Sequence, residues 1–217
     1  MPLLILGKDP TNFLKIDPTM SAARVTTRPA ETNRNYQHLG VKTGNLTGVA
    51  ANAPVFCLQN LNSNLIVIKR VKICFTLTTA FGAAQYLDFG LTLGRNISAV
   101  MTGGTVVSLT GDNLKLFSDS YNVTQVNCRI ATTGTLTAGT RTTDVSLPGN
   151  YISQAGNWMG AIGAMIPLIT LYEALPGKYP IVLALNEGIE IAPVTTMGAT
   201  GVGVLGVVIE FAETPAY

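Results

Sequence analysis

Residues 186–216 read NEGIEIAPVTTMGATGVGVLGVVIEFAETPA, two β-branched runs on either side of a small-residue turn. Runs of this kind pack as strands. Side chains able to do chemistry are nearly missing from them, and the scarcity extends along the chain. The 217 residues include one histidine, His38, three cysteines and 12% charged residues, while 22 glycines repeatedly interrupt Val-, Ile- and Thr-rich runs. Such a composition suits a subunit made to be packed against other chains.

Hydrophobic residues make up 47% of the sequence, and the mean hydropathy is +0.35. No apolar run approaches the roughly 20 residues that cross a bilayer as a helix, so no membrane span is expected. Low charge with ample apolar area fits either a large sandwich core or surface covered by another subunit. The net charge of +2 is too small to point to nucleic acid, which calls for a clustered basic stripe. Lys69, Arg70 and Lys72 come nearest to one, and strand alternation sends Lys69 and Lys72 to opposite faces. Cys57, Cys74 and Cys128 are widely spaced with no C-x-x-C pair, which removes zinc ribbons and redox dithiols at the motif level. Cys57 and Cys74 read as small buried hydrophobes, and free thiols point to a reducing compartment. The start, MPLLILGKDP, lacks the flanks of a secretory signal, so the sequons at Asn45, Asn96 and Asn122 read as incidental.

Residues 1–35 carry Pro2, Pro10, Pro18 and Pro29 among Thr, Asn and Asp. Proline at that density prevents a helix or a central strand, and the expectation is an extended N-terminal arm whose Leu3, Leu4, Ile5 and Leu6 dock on a neighbour. Residues 36–217 read as a β-sandwich, with strands expected over 36–46, 55–59, 65–79, 85–93, 106–109, 166–171, 181–185, 189–195 and 202–211 and alternation again over 123–136. In 65–79 the buried set is Val71, Ile73, Phe75 and Leu77; in 85–93 it is Leu87, Phe89, Leu91 and Leu93. Residues 132–143, TTGTLTAGTRTT, read as a loop or hairpin tip. Roughly eight to ten short strands with little helix imply an all-β, jelly-roll-like antiparallel β-sandwich.

Four motif readings bear on chemistry. Residues 201–206, GVGVLG, match the dinucleotide fingerprint but lead into VVIEF rather than a helix, so their glycines are expected to thin a strand where another backbone or subunit comes close. His38 has no nucleophile elbow beside it and reads as a hydrogen-bonded structural residue. Asp88, Asp112, Asp119, Asp144, Glu173, Glu187, Glu190, Glu210 and Glu213 are scattered and read mostly as turn acids bonded to their own backbone. Trp158, Tyr151 and Tyr86 could line a sugar groove, although a single tryptophan among Gly156, Gly160 and Gly163 reads better as a core or interface plug. No catalytic residue, metal ligand or cofactor is expected.

The succession KYPIVL at 178–183, NEGIEI at 186–191, MGATG at 197–201 and VVIEFAE at 207–213 resembles the closing strands of jelly-roll structural proteins of tailed-bacteriophage virions, notably head decoration or cement proteins. The resemblance covers about forty residues. It implies a non-enzymatic protein on the capsid surface that gathers around a symmetry axis, often as a trimer, and fastens the major capsid protein through its arm. Leu3, Leu4, Ile5, Leu6, Thr135, Leu136 and Trp158 are then the expected interface residues. Two alternatives stay open: a coat protein that builds a shell alone, and a receptor- or glycan-binding tail module with an exposed aromatic groove.

Overall fold

In the computed structural model the described residues are 16–17, 22–23, 36–109, 114, 126–143, 152–175 and 180–214. The chain divides into two units, Met1–Asn33 and Arg34–Tyr217. In the first unit, β1 (Ile16–Asp17) and β2 (Ala22–Ala23) form a two-residue antiparallel ladder, Ile16 opposite Ala23. The expected extended arm therefore doubles back on itself here. Leu3, Leu4, Ile5 and Leu6 lie outside the described residues.

The second unit is built around one long strand, β5 (Leu65–Thr79), in which Val71, Ile73, Phe75 and Leu77 alternate with Lys72, Cys74, Thr76 and Thr78. The first set is at most 1% exposed, as a period of two with one apolar face demands. Its neighbours are β14 (Val202–Thr214) along one edge and β11 (Met165–Glu173) with β12 (Ile181–Leu183) along the other; β3 (Tyr36–Lys42) closes the sheet beyond β14. The second sheet runs in the order β10 (Ser153–Met159), β6 (Gln85–Arg95), β13 (Gly188–Pro193), β4 (Phe56–Asn60), β8 (Val126–Ile130), β7 (Thr105–Val106), with β9 (Thr142–Thr143) also paired to β6. All described pairings are antiparallel.

The connectivity is diagnostic. Let β3, β4, β5, β6, β10, β11, β13 and β14 be the first to eighth strands in chain order. One sheet then carries the first, eighth, third and sixth as neighbours, and the other the second, seventh, fourth and fifth. That order is the double Greek key of a jelly roll, so the β-sandwich expected from the sequence is the fold observed. β7, β8 and β9 belong to an insertion between the fourth and fifth strands.

The two sheets meet across apolar inner faces. Phe75 of β5 and Phe89 of β6 pack with ring centroids 5.2 Å apart, and Phe56, Leu58, Leu87, Leu91, Ile189, Ile191, Leu205 and Ile209 fill the space around them with no solvent exposure. Burying each such side chain stabilises the fold by about 1.5–3 kcal/mol before entropy is counted. The glycines of GVGVLG serve this packing. A Cβ on Gly203 would collide with the Phe75 ring and one on Gly201 with the Phe81 ring, so aromatic side chains approach here, where another backbone or subunit was expected. The segment runs straight into β14 with no helix.

Elsewhere the elements depart from the sequence reading. Of the alternation expected over 123–136, the described residues 126–136 form a strand only at β8, and β10, which the glycines and polar residues hid, is a seven-residue strand paired to β6 from Ser153 opposite Leu91 to Met159 opposite Gln85. A tight turn precedes β13: Glu187 N–H donates to Ala184 O over 3.1 Å, with Asn186 at φ 62°, a left-handed conformation that asparagine tolerates.

Candidate interaction surface

Strand alternation decides which side chains face outward, and the two sheets present very different outer faces. On the β4-β13-β6 side, Cys57, Gln59, Glu190 and Thr92 point away from the core by register, yet all are buried. Residues 96–109 and 131–143 cover them as a third layer. Gln59 Oε1 accepts Met101 N–H at 3.0 Å, and Asn127 Nδ2 donates to Met101 O at 3.0 Å. Thr102 and Thr137 exchange two backbone bonds of 2.9 Å, and Leu136 N–H donates to Pro54 O at 2.8 Å. Ile97, Met101 and Leu136 drop into the seam.

Beneath this layer, Arg141 Nη2 lies 2.5 Å from Glu190 Oε2, with Glu190 only 1% exposed. Burial pushes the Glu190 carboxyl up to about 7, against the opposing pull of the Arg141 guanidinium. Burial, and then the Glu190 charge, push the neighbouring Cys57 thiol up to about 12; burial raises Cys128 as well. Glu190 Oε1 and Arg141 Nε have no hydrogen-bond partner among the described residues. The Arg141 guanidinium from the covering loop thus clamps the third layer to β13 through the Glu190 carboxyl, while burial, outweighing that pull, favours the neutral acid. Sequence reasoning took Glu190 for a turn acid. It sits instead in the middle of β13, as Asp88 and Glu210 sit within β6 and β14, and each has a partner outside its own turn. Asp88 Oδ1 accepts Thr195 Oγ1 at 2.9 Å and Thr195 N–H at 3.2 Å, and Glu210 pairs with Arg70, whose other guanidinium nitrogen lies 3.8 Å from Glu173. Glu187, by contrast, is a turn acid, accepting Ala184 N–H and both bonds from Arg95 Nη1.

The β3-β14-β5-β11 sheet has no such cover among the described residues. Its outer face carries His38, Gly40 and Lys42 of β3, Val204, Gly206 and Val208 of β14, and Lys72, Cys74 and Thr76 of β5 in register. His38 and Lys42 are exposed, and Val204 and Val208 are half-buried.

The third surface is formed by the consecutive edge strands β10 and β11, one in each sheet, and the turn between them. Trp158 is 66% exposed and stands edge-on to its cross-strand partner Tyr86, which is 43% exposed, at a centroid distance of 6.1 Å and 68° between planes. Gly156, one outward position along, leaves the room that the Tyr86 hydroxyl occupies. Past the turn, Ile162, Met165 and Leu168 are 72%, 52% and 57% exposed. Exposed apolar side chains of this size are candidates for contact with a partner; Trp158, paired with Tyr86, lies on the outer side of one sheet, and Met165, paired with Thr76, on that of the other. Asn157 Nδ2 donates to Met165 O at 3.0 Å and Ser153 Oγ to Leu171 O at 2.5 Å, which locks β10 to β11.

The residues expected at interfaces thus separate. Trp158 is exposed, not a core plug, and Thr135 is exposed, whereas Leu136 is 4% exposed inside its own chain and anchors the 132–143 loop. Tyr151, Asp112, Asp119 and Asp144 lie outside the described residues. The cysteines are free, with Cys57 and Cys128 buried and Cys74 half-buried, so the expectation of a buried thiol is met at Cys57 and only partly at Cys74. Among the described residues, no three His, Cys, Asp or Glu side chains gather as a metal-ligand set, and no helix is long and apolar enough to cross a membrane. No protein-family model and no curated protein matches the chain.

Proposed function

We propose that the chain is a structural subunit of a viral particle, a cement or decoration protein that holds major capsid subunits together. The jelly roll hosts viral capsid subunits as well as lectins and cupins, so the fold alone does not choose among them. The observation that carries the reading is the set of exposed apolar side chains on the edge strands β10 and β11 and the turn between them. Trp158, Ile162, Met165 and Leu168 stand exposed on two edge strands and their turn, which the Ser153 and Asn157 side chains tie together. Rigid apolar groups lose little conformational freedom when a partner covers them, and aromatic anchors of this kind supply most of the energy of protein interfaces. The buried carboxylates support the same reading, because Asp88, Glu190 and Glu210 are engaged within the fold. The experiment is purification of particles from infected cells and detection of the chain by mass spectrometry, followed by binding of wild-type and Trp158→Ser/Ile162→Ser protein to stripped particles. The reading expects the chain in particles and a loss of at least tenfold in affinity for the variant. Absence from particles, or equal binding by the variant, refutes it.

A second reading, a coat protein that builds a shell alone, is favoured by the complete strand order. Expression without other viral proteins separates the two: closed shells in electron micrographs support the coat reading, and soluble small oligomers support the cement reading.

A further inference from the structure

Each sheet of a sandwich has two edges, and an uncovered edge is a row of backbone donors and acceptors open to another strand. Three of the four edges here are blunted. β7 is two residues long. β10 and β11 flank each other, with side chains of Ser153 and Asn157 bonded to β11 carbonyls, and β11 carries Pro167 and two register shifts. β12 is three residues long, and its Ile181 N–H is taken by the Tyr172 hydroxyl at 2.8 Å. The fourth edge is β3: seven regular residues, with β14 as its one sheet neighbour among the described residues.

Register shows which groups this edge presents. Thr43 N–H donates to Leu205 O at 2.8 Å, so by antiparallel alternation the amides of Val41 and Leu39 also point to β14, and those of Lys42, Gly40 and His38 point away. All three outward residues are exposed. Gly40 sits at the centre, and a Cβ there would meet nothing within 4 Å. Among the described residues, Lys42 at its end is the charged side chain on this stretch of edge.

We propose that β3 pairs antiparallel with β3 of a second copy about a two-fold axis at Gly40, joining the two β3-β14-β5-β11 sheets into one. β3 has the pattern that its own edge needs. Leu39 and Val41 continue the core side, while His38, Gly40 and Lys42 continue the outer side, so an isologous pairing keeps both faces in phase. With Gly40 opposite its symmetry mate, Lys42 of one copy lies beside His38 of the other, whose neighbour on β14 is Glu210. The three outward residues of each copy supply about six backbone hydrogen bonds, two per hydrogen-bonded pair. This inference is independent of the viral reading, since it uses only the sheet edges.

Gly40→Pro tests it with little disturbance to the monomer, because the amide removed points away from β14 and proline is tolerated on such an edge. Analytical ultracentrifugation of the full chain should give a dimer for the wild type and for Gly40→Ala, and a monomer for Gly40→Pro and Gly40→Lys, with dimer affinity lowered at least tenfold. Should the proline variant misfold by circular dichroism, the lysine variant and hydrogen exchange decide. In the wild type the His38, Gly40 and Lys42 amides should become protected as concentration rises, while Leu39 and Val41 stay protected throughout. A monomer at high concentration, a trimer, or a dimer in which those three amides exchange freely overturns the proposal.

Discussion

Replacing Gly203 by alanine puts a methyl group where the Phe75 ring lies. Phe75 is fully buried and packed on Phe89 of the other sheet, so the ring has to swing off its partner. Overpacking of this kind costs about 1–3 kcal/mol, and a loosened aromatic pair adds about 0.5–1.5 kcal/mol. Restricting the unfolded chain returns about 0.5–1 kcal/mol, which leaves a net loss of about 0.5–4 kcal/mol, or several degrees in Tm at the middle of that range for a chain of this size. Phe75→Leu removes the colliding ring. It destabilises by itself, but in its presence Gly203→Ala should be neutral or stabilising. The assay is urea unfolding of the four proteins of the double-mutant cycle with unchanged m values. A coupling of about 1.5 kcal/mol or more stands clear of the about 0.3–0.5 kcal/mol scatter of independent sites. If Gly203→Ala costs the same in both backgrounds, the glycines of GVGVLG are not there for the Phe75 ring, and the steric account of that segment is wrong.

Three other outcomes follow from the clamp, the thiols and the covering layer. Glu190 is protonated in the folded state and ionised in the unfolded one between its ordinary 4.5 and about 7; the folded state binds more protons there, so stability falls as pH rises through that window, by up to about 3 kcal/mol. Chemical denaturation from pH 4 to 8 should show this fall in the wild type relative to Glu190→Gln, and parallel curves would contradict it. A thiol reagent at pH 8 should modify Cys74 in the native protein and reach the buried Cys57 and Cys128 only after denaturation; prompt reaction of all three sinks the burial assignment. Leu136→Ala should cost about 2–4 kcal/mol and speed hydrogen exchange at the Leu136 and Thr137 amides, whereas unchanged exchange there would mean that the layer is held without it.

How far the fold was readable from residues depends on how many faces of a strand are buried. β5 was read at its observed bounds because Val71, Ile73, Phe75 and Leu77 alternate with polar residues, and one buried face imposes that period. β10 was missed because Ser153, Gln154, Gly156 and Asn157 have weak strand preference; it is a strand because β6 offers an edge, which is a tertiary cause absent from the local pattern. Glu190 left a usable sign. A carboxylate between two isoleucines in an unbroken apolar run needs a partner, but Arg141 is far away in the chain and lies in a segment that reads as low-complexity loop. Trp158 could be singled out by type, while its exposure could not, since only the pairing of β10 with Tyr86 on β6 puts the ring on the outer face.

Placing β14 between β3 and β5 has a consequence for how the polypeptide is made. β3 and β5 emerge from the ribosome long before the segment that joins them, so during translation each waits with an unfilled side, and the sheet forms only once Val202–Thr214 has been synthesised. Such long-range closure is slow and exposes strand-seeking backbone meanwhile. A premature stop codon anywhere upstream of Val202 should therefore yield a product that precipitates or is degraded, and not a shortened subunit able to poison an assembly.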